Sequence, residues 1–284
     1  MNSNRLLLVG QTITDSCNSC HDGTGGRGVY GAIAAQGLVA VGQHRTETVT
    51  VVPGGDGATG GNRTGVFSGA GATMTCTDCH SPHGANVVAA FQGDRYRNSG
   101  GFEGRLSTKL LKQRPGDTTI SVTQYGSDWC IACHRGRNSA VVSMHNHPVE
   151  SSATAGGNPY VYQNIPIIAS LAPTSATVMG SVGVAKAVGK RNGAFLMPFP
   201  RTPLQAGHKP ICQQCHEDAR FVGTIQPGGA IAAPSPFTVT TPDGATASNN
   251  PRFQNFPHES TSTVLLVESN DDLCMNCHPA DVLP

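Results

Sequence analysis

Few credible long helices can be read from the hydrophobic and polar positions of this chain. Residues 31–75 run through Gly, Ala, Val and Thr, with a strand-like alternation at Thr46–Val52. Residues 150–205 are rich in Pro, Gly, Ala, Ser and Val. Between 222 and 262 the turn signals Pro227-Gly-Gly, Pro234-Ser-Pro236 and Pro242-Asp-Gly244 recur. Phe237–Thr241 and Thr263–Val267 read as two further short strands. Helix is expected mainly as single turns at five Cys-x-x-Cys-His sites, for example after Asn270-Asp-Asp272, where side-chain oxygens can cap a first turn. The predicted fold class is mostly irregular coil, with short helical turns at those sites and a few short β-strands. No convincing boundary interrupts it, so residues 1–284 read as a single domain. Low complexity of this kind also suits disorder, but closely spaced cofactor sites would leave little chain free and favour ordered coil.

Composition sharpens the picture. Aromatics are 5%, charged residues 13%, and there is one tryptophan, Trp129. Glycine supplies 35 of 284 residues, well above the usual ~7%. A chain so poor in large apolar side chains struggles to offset its backbone entropy. The formal net charge of +1 points to neither nucleic acid nor a membrane surface. No stretch approaches the roughly 18 apolar residues of a spanning helix, so no membrane span is expected. Leu6–Val9 is shorter than a signal-peptide apolar region of about 7–15 residues.

The cysteines explain the missing core. All ten fall in five motifs: Cys17-Asn-Ser-Cys20-His21, Cys76-Thr-Asp-Cys79-His80, Cys130-Ile-Ala-Cys133-His134, Cys212-Gln-Gln-Cys215-His216 and Cys274-Met-Asn-Cys277-His278. Two thiols three residues apart on a helical turn can both reach the vinyl groups on one porphyrin edge, and the histidine that follows ligates iron. Disulfides would give no reason for a histidine after each pair. Zinc sites normally use two Cys-x-x-Cys pairs per metal and would leave one orphaned. A thioredoxin-like motif occurs once, within a βαβ unit. The reading is five covalently bound c-type haems forming the core, a pentahaem cytochrome c. Burying a few hundred Å² of each porphyrin contributes on the order of 10 kcal/mol gross, and the haem-free chain is expected to be largely disordered. Arg95, Arg97, Arg135, Arg137 and Arg201 are candidate partners for haem propionates, though solvated surface arginines would look the same. In bacteria and archaea c-type haem is attached outside the cytoplasmic membrane. The chain therefore reads as a mature, exported form without its signal peptide.

Six histidines lie outside the motifs: His44, His83, His145, His147, His208 and His258. Five irons need five distal ligands, so every site can be bis-histidine with one to spare. Met74, Met144, Met179, Met197 and Met275 could serve as axial ligands but are not needed. His83, three residues after His80, emerges on the same side and should ligate a neighbouring haem. His145 and His147 point the same way in an extended segment, unless a turn before Pro148 sends them to different irons. His208 precedes Cys212 by four residues and suits an adjacent haem. His258 is far enough before Cys274 to reach the distal face of the fifth haem. His44 has no local partner; it is the spare, or a ligand given to another subunit.

Several fragments resemble the extracellular multihaem c-type cytochromes of metal-reducing bacteria, a group that includes filament-forming "cytochrome nanowires". They are Cys17–Thr24, Cys79–Gly84, His147–Val149, Pro210–Gly223, and Phe256–Ser260 leading to Leu273–His278. Pro210–Gly223 is the most specific, and the likeness covers the haem-bearing part of the chain rather than its spacers. It implies bis-histidine haems in alternating parallel and T-shaped pairs, with one axial histidine sometimes supplied by the next subunit. Five haems depart from the four-, six- and eight-haem filament types.

Three functions follow. The first is an extracellular electron-conducting homopolymer passing electrons to external acceptors or other cytochromes, built by a head-to-tail interface that does not close. The second is a soluble monomeric or dimeric carrier in the periplasm or at the cell surface. The third is a multihaem reductase, which would need an open iron position. With histidines enough to close every iron, an electron carrier is expected rather than an enzyme, and no catalytic residue is assigned.

Overall fold

The computed structural model describes residues 10–22, 29–31, 33–34, 39–91, 96–98, 101–102, 107–138, 146–149, 210–216, 256–266 and 271–274. Among these the chain is mostly coil, with short helices and three two-stranded antiparallel sheets. The helices are α1 (Ile13–His21), α2 (Cys76–Cys79), α3 (Ser127–Ile131), α4 (Cys212–His216) and α5 (Asp271–Cys274). Each carries at least one cysteine of one motif, and α5 starts at Asp271, within the Asn-Asp-Asp signal after which a turn is expected.

Local sequence explains why the first two helices begin where they do. Thr12 accepts the Asp15 N–H at 3.0 Å while the Asp15 carboxylate takes the Thr12 N–H at 3.2 Å. Asp78 likewise reaches back to the Thr75 N–H at 2.7 Å. Both are reciprocal N-terminal caps that satisfy donors a short helix cannot pair internally. Helices this short would not form alone; caps and neighbours hold them. α1 packs on α2, and α3 packs on α4.

The strands are β1 (Gly42–Gln43) with β6 (Glu259–Ser260), β2 (Val51–Val52) with β3 (Arg63–Thr64), and β4 (Tyr96–Asn98) with β5 (Gly101–Phe102). Only the end of the expected Thr46–Val52 strand forms. Residues 46–48 turn, with Glu47 at φ 61°. The Glu47 N–H is taken by the Met74 carbonyl, and its carboxylate accepts the Thr14 hydroxyl at 2.8 Å, so the segment serves contacts with α1 instead of a ladder. Thr263–Leu266 is also not a strand. The Ser262 carbonyl and hydroxyl accept the N–H groups of Leu265 and Leu266, which closes a turn with Leu265 at φ 56°. The strand expected at Phe237–Thr241, like Val267, lies outside the described residues.

A small apolar core sits between the second and third motifs. Phe91 stacks on Tyr125 at 4.4 Å, and Tyr125 meets the Trp129 edge at 5.6 Å. Val88, Leu111, Val122 and Ala132 are buried too. Trp129 Nε1 donates to the Lys112 carbonyl at 2.8 Å, which fixes the helix carrying Cys130. α4 is clipped to α3 by Cys212 N–H to Ser127 Oγ at 3.0 Å, and by Gln213 Nε2 to the Gly126 carbonyl at 3.1 Å. Arg63 and Asp117 form a two-pronged ion pair, at 2.6 and 2.9 Å, that ties β3 to the 115–118 turn. No helix among the described residues is long and apolar enough to cross a membrane.

Candidate cofactor-binding centre

In α2 the two cysteines stand three residues apart, so both Sγ atoms leave the same helix face. His80 leaves that helix in extended conformation, φ −110° and ψ 146°, which swings its imidazole away from the helix axis. His134 likewise follows the end of α3, at φ −86° and ψ 54°. None of the nine described cysteines, Cys17, Cys20, Cys76, Cys79, Cys130, Cys133, Cys212, Cys215 and Cys274, is joined in a disulfide. Cys277 lies outside the described residues.

Thiols of successive motifs meet. Cys17 hydrogen-bonds Cys76, Cys130 hydrogen-bonds Cys212, and Cys79 lies within electrostatic reach of Cys133. Burial pushes the Cys79 thiol up to about 12, and those of Cys76 and Cys133 up to about 11. Cys212 moves the other way because Cys130 donates to it. Thiols held protonated are the reverse of what a nucleophilic or redox-exchanging cysteine needs.

The histidines share one arrangement. His80 Nδ1 faces the Lys109 carbonyl at 2.9 Å, His134 Nδ1 the Pro53 carbonyl at 2.7 Å, and His216 Nδ1 the Leu265 carbonyl at 3.1 Å. His44 Nδ1 faces the Pro257 carbonyl at 2.5 Å, and His147 Nδ1 that of Pro148 at 2.8 Å. A carbonyl can only accept, so Nδ1 carries the proton and the lone pair sits on Nε2. Burial lowers the pKa of His44, His80 and His216, and brings His134 to about 4 and His258 to about 3. These imidazoles are therefore neutral, the form a metal takes.

The rings also come together across long sequence distances. His80 and His258 have centroids 6.4 Å apart and planes 17° apart. His44 and His134 are 6.1 Å apart with planes at 69°. Phe256 lies 6.0 Å from His216 and 6.5 Å from His44. The Tyr30 ring edge approaches His258 at 5.9 Å, and its hydroxyl donates to the His44 carbonyl at 2.6 Å. Among the described residues no three His, Cys, Asp or Glu side chains converge as an ordinary protein-only metal site. Paired imidazoles and paired thiols are instead groups that would suit an iron porphyrin, whose ring supplies four nitrogens to the metal while the thiols bond to its edge.

Two histidines outside the motifs come to lie beside motif histidines. His258, expected to serve the fifth haem, lies with its ring beside that of His80 of the second motif. His44, expected to be spare or given away, lies against His134 and Phe256. His83 is exposed on the turn closed by Gly84 N–H to the Ser81 carbonyl, and His147 is exposed as well. His21 ends α1, within electrostatic reach of His80. His145, His208 and His278 lie outside the described residues, as do Arg95 and Arg201; nothing is described of the Arg97 side chain. Arg135 and Arg137 follow His134 on a 3₁₀ turn and lie against Gly57 and Gly54. Tyr30 lies in no motif or fragment singled out in the sequence, whereas Phe256 and Glu259 fall in the Phe256–Ser260 fragment, which assigned neither of them a role.

No family description, curated protein or solved structure matches this chain.

Proposed function

We propose that the chain is an exported pentahaem c-type cytochrome that carries electrons. Its five motifs would each bind one haem through two thioethers, with His21, His80, His134, His216 and His278 as proximal ligands. The observation that carries this reading is the locking of Nδ1 on His80, His134 and His216 by backbone carbonyls, which aims the Nε2 lone pair away from the main chain. Outer partners of this kind orient a metal-ligating histidine and raise its basicity. Bound iron porphyrin would supply a one-electron couple tuned by its axial ligands and burial.

The chain's own residues do the rest. Second imidazoles would close the positions where a substrate would enter, which favours carriage over bond chemistry. Motif helices pack in sequence order, α1 on α2 and α3 on α4, and thiol neighbours link α2 to α3. A cofactor row following the chain order is what such packing would impose.

The homopolymer reading rests on the resemblance and on His83 and His147, imidazoles on the surface where a neighbouring subunit's iron could be reached. The alternative is a discrete soluble carrier at the cell surface or in the periplasm. Electron microscopy of the natively purified protein separates them. Filaments with a uniform repeat are expected, and a population of discrete globules only would leave the soluble carrier.

A further inference from the structure

We infer that His80 and His258 are the two axial ligands of one iron, and that His134 and His44 are the two axial ligands of the next. This rests on the haem reading above and specifies it. It joins positions far apart in sequence, neither of them predicted by motif spacing.

Three observations carry the pairing. The first is the separation of the rings. Two imidazoles trans on one metal, with metal–nitrogen bonds of about 2.0–2.1 Å and centroids about 1.1 Å behind each nitrogen, stand roughly 6–6.5 Å apart. The two pairs stand 6.4 and 6.1 Å apart. The second is orientation. In His80, His134 and His44 the Nδ1 edge is turned back to a carbonyl of its own surroundings, so Nε2 is the nitrogen left to face outward. The third is the ladder that delivers the distal rings. β1 and β6 pair with Gln43 opposite Glu259, and His44 N–H donates to the His258 carbonyl at 3.2 Å. His44 and His258 are thus cross-strand neighbours, one at each strand's end. One two-stranded ribbon would cap both irons and fix their mutual position.

Tyr30 and Glu259 are positioning residues for that ribbon. Glu259, 1% exposed, accepts the Gly31 and Ile33 N–H groups at 3.1 and 3.0 Å. Tyr30 braces the His258 ring and holds the His44 carbonyl.

The pairing is tested in the mature holoprotein by moving a methionine-to-iron absorption band. His258→Met should give one methionine-ligated haem per chain. The band should vanish when haem at the second motif is removed by Cys76→Ala with Cys79→Ala, and persist when Cys130→Ala with Cys133→Ala removes the third. His44→Met should behave in the opposite way. A His258→Met band that survives loss of the second haem, or no band from either substitution, overturns the assignment. Should the methionine variants fold poorly, His258→Ala and His44→Ala each predict one high-spin haem per chain by electron paramagnetic resonance, and an unchanged low-spin count overturns it. The ring planes give a second readout. The near-parallel pair should lose a rhombic signal on His258→Ala, and the near-perpendicular pair a highly anisotropic one on His44→Ala. The intact mass of the same samples distinguishes the two levels. Chains without any haem contradict the cytochrome reading itself, whereas five-haem chains with the wrong ligand response contradict only the pairing.

Discussion

Asp78 lies inside Cys76-Thr-Asp-Cys79-His80 and is 4% exposed. Its carboxylate accepts the Thr75 N–H at 2.7 Å, the Ser68 N–H at 3.1 Å and the Ser68 hydroxyl at 3.1 Å. Asp78→Ala leaves buried donors unpaired and removes a helix cap, so a loss of about 1–3 kcal/mol is expected. Denaturant unfolding of the holoprotein checks this, and an unchanged midpoint would sink it. Part of this site was legible at the residue level: every cysteine and motif histidine is named by its spacing. The caps at Thr12–Asp15 and Thr75–Asp78 also follow a readable Thr-x-x-Asp pattern. The carbonyls of Pro53, Lys109, Pro257 and Leu265 that set the histidine tautomers were not legible, because a backbone acceptor leaves no mark on residue identity. The ring neighbours of His44 and His258 were hidden for a related reason. His44 and His258 are brought to their partners by pairing across the whole chain, and distance along the sequence carries no information about that.

Elements were legible where a local rule fixes them. Helical turns stand at the motifs where the cysteine spacing suits them, and at α1 and α2 an N-cap also fixes the start. Strands of two residues are another matter. β1 and β6 exist because Glu259 anchors the 31–33 backbone and Gly42 admits a close neighbour. A Cβ on Gly42 would land inside contact distance of the Ser262 carbonyl oxygen, with Leu265 Cδ1 behind it at 3.2 Å. Both are packed segments of the ribbon that carries His44 and His258. Gly42→Ala is therefore expected to push β1 off the 260–262 backbone at a cost of about 1–3 kcal/mol. It should also disturb two haems together in the low-temperature spectrum. Thermal unfolding followed at the main haem band, with the resting spectrum, checks both. A variant as stable as the parent with an unaltered spectrum contradicts the role given to the ribbon.

At the scale of the molecule, scarcity of apolar side chains predicted a core made of cofactor. The described residues contain one aromatic cluster, around Phe91, Tyr125 and Trp129, placed between the second and third motifs. That cluster was invisible in the composition, since Phe91 lies far along the chain from Tyr125 and Trp129 and only the fold joins them. Elsewhere the packing turns on histidines, prolines and glycines: Gly136 donates to the Gly54 carbonyl at 2.8 Å, beside the Pro53 carbonyl that holds His134. Such surfaces gain little by burying one another. They suit a chain that would wrap on flat apolar rings, with haem as its core. Intact-mass spectrometry of the natively purified protein tests that claim most directly. The account predicts a chain carrying five haems with none of its ten cysteines left as a free thiol; a haem-free chain with its cysteines reduced or joined as disulfides would contradict it.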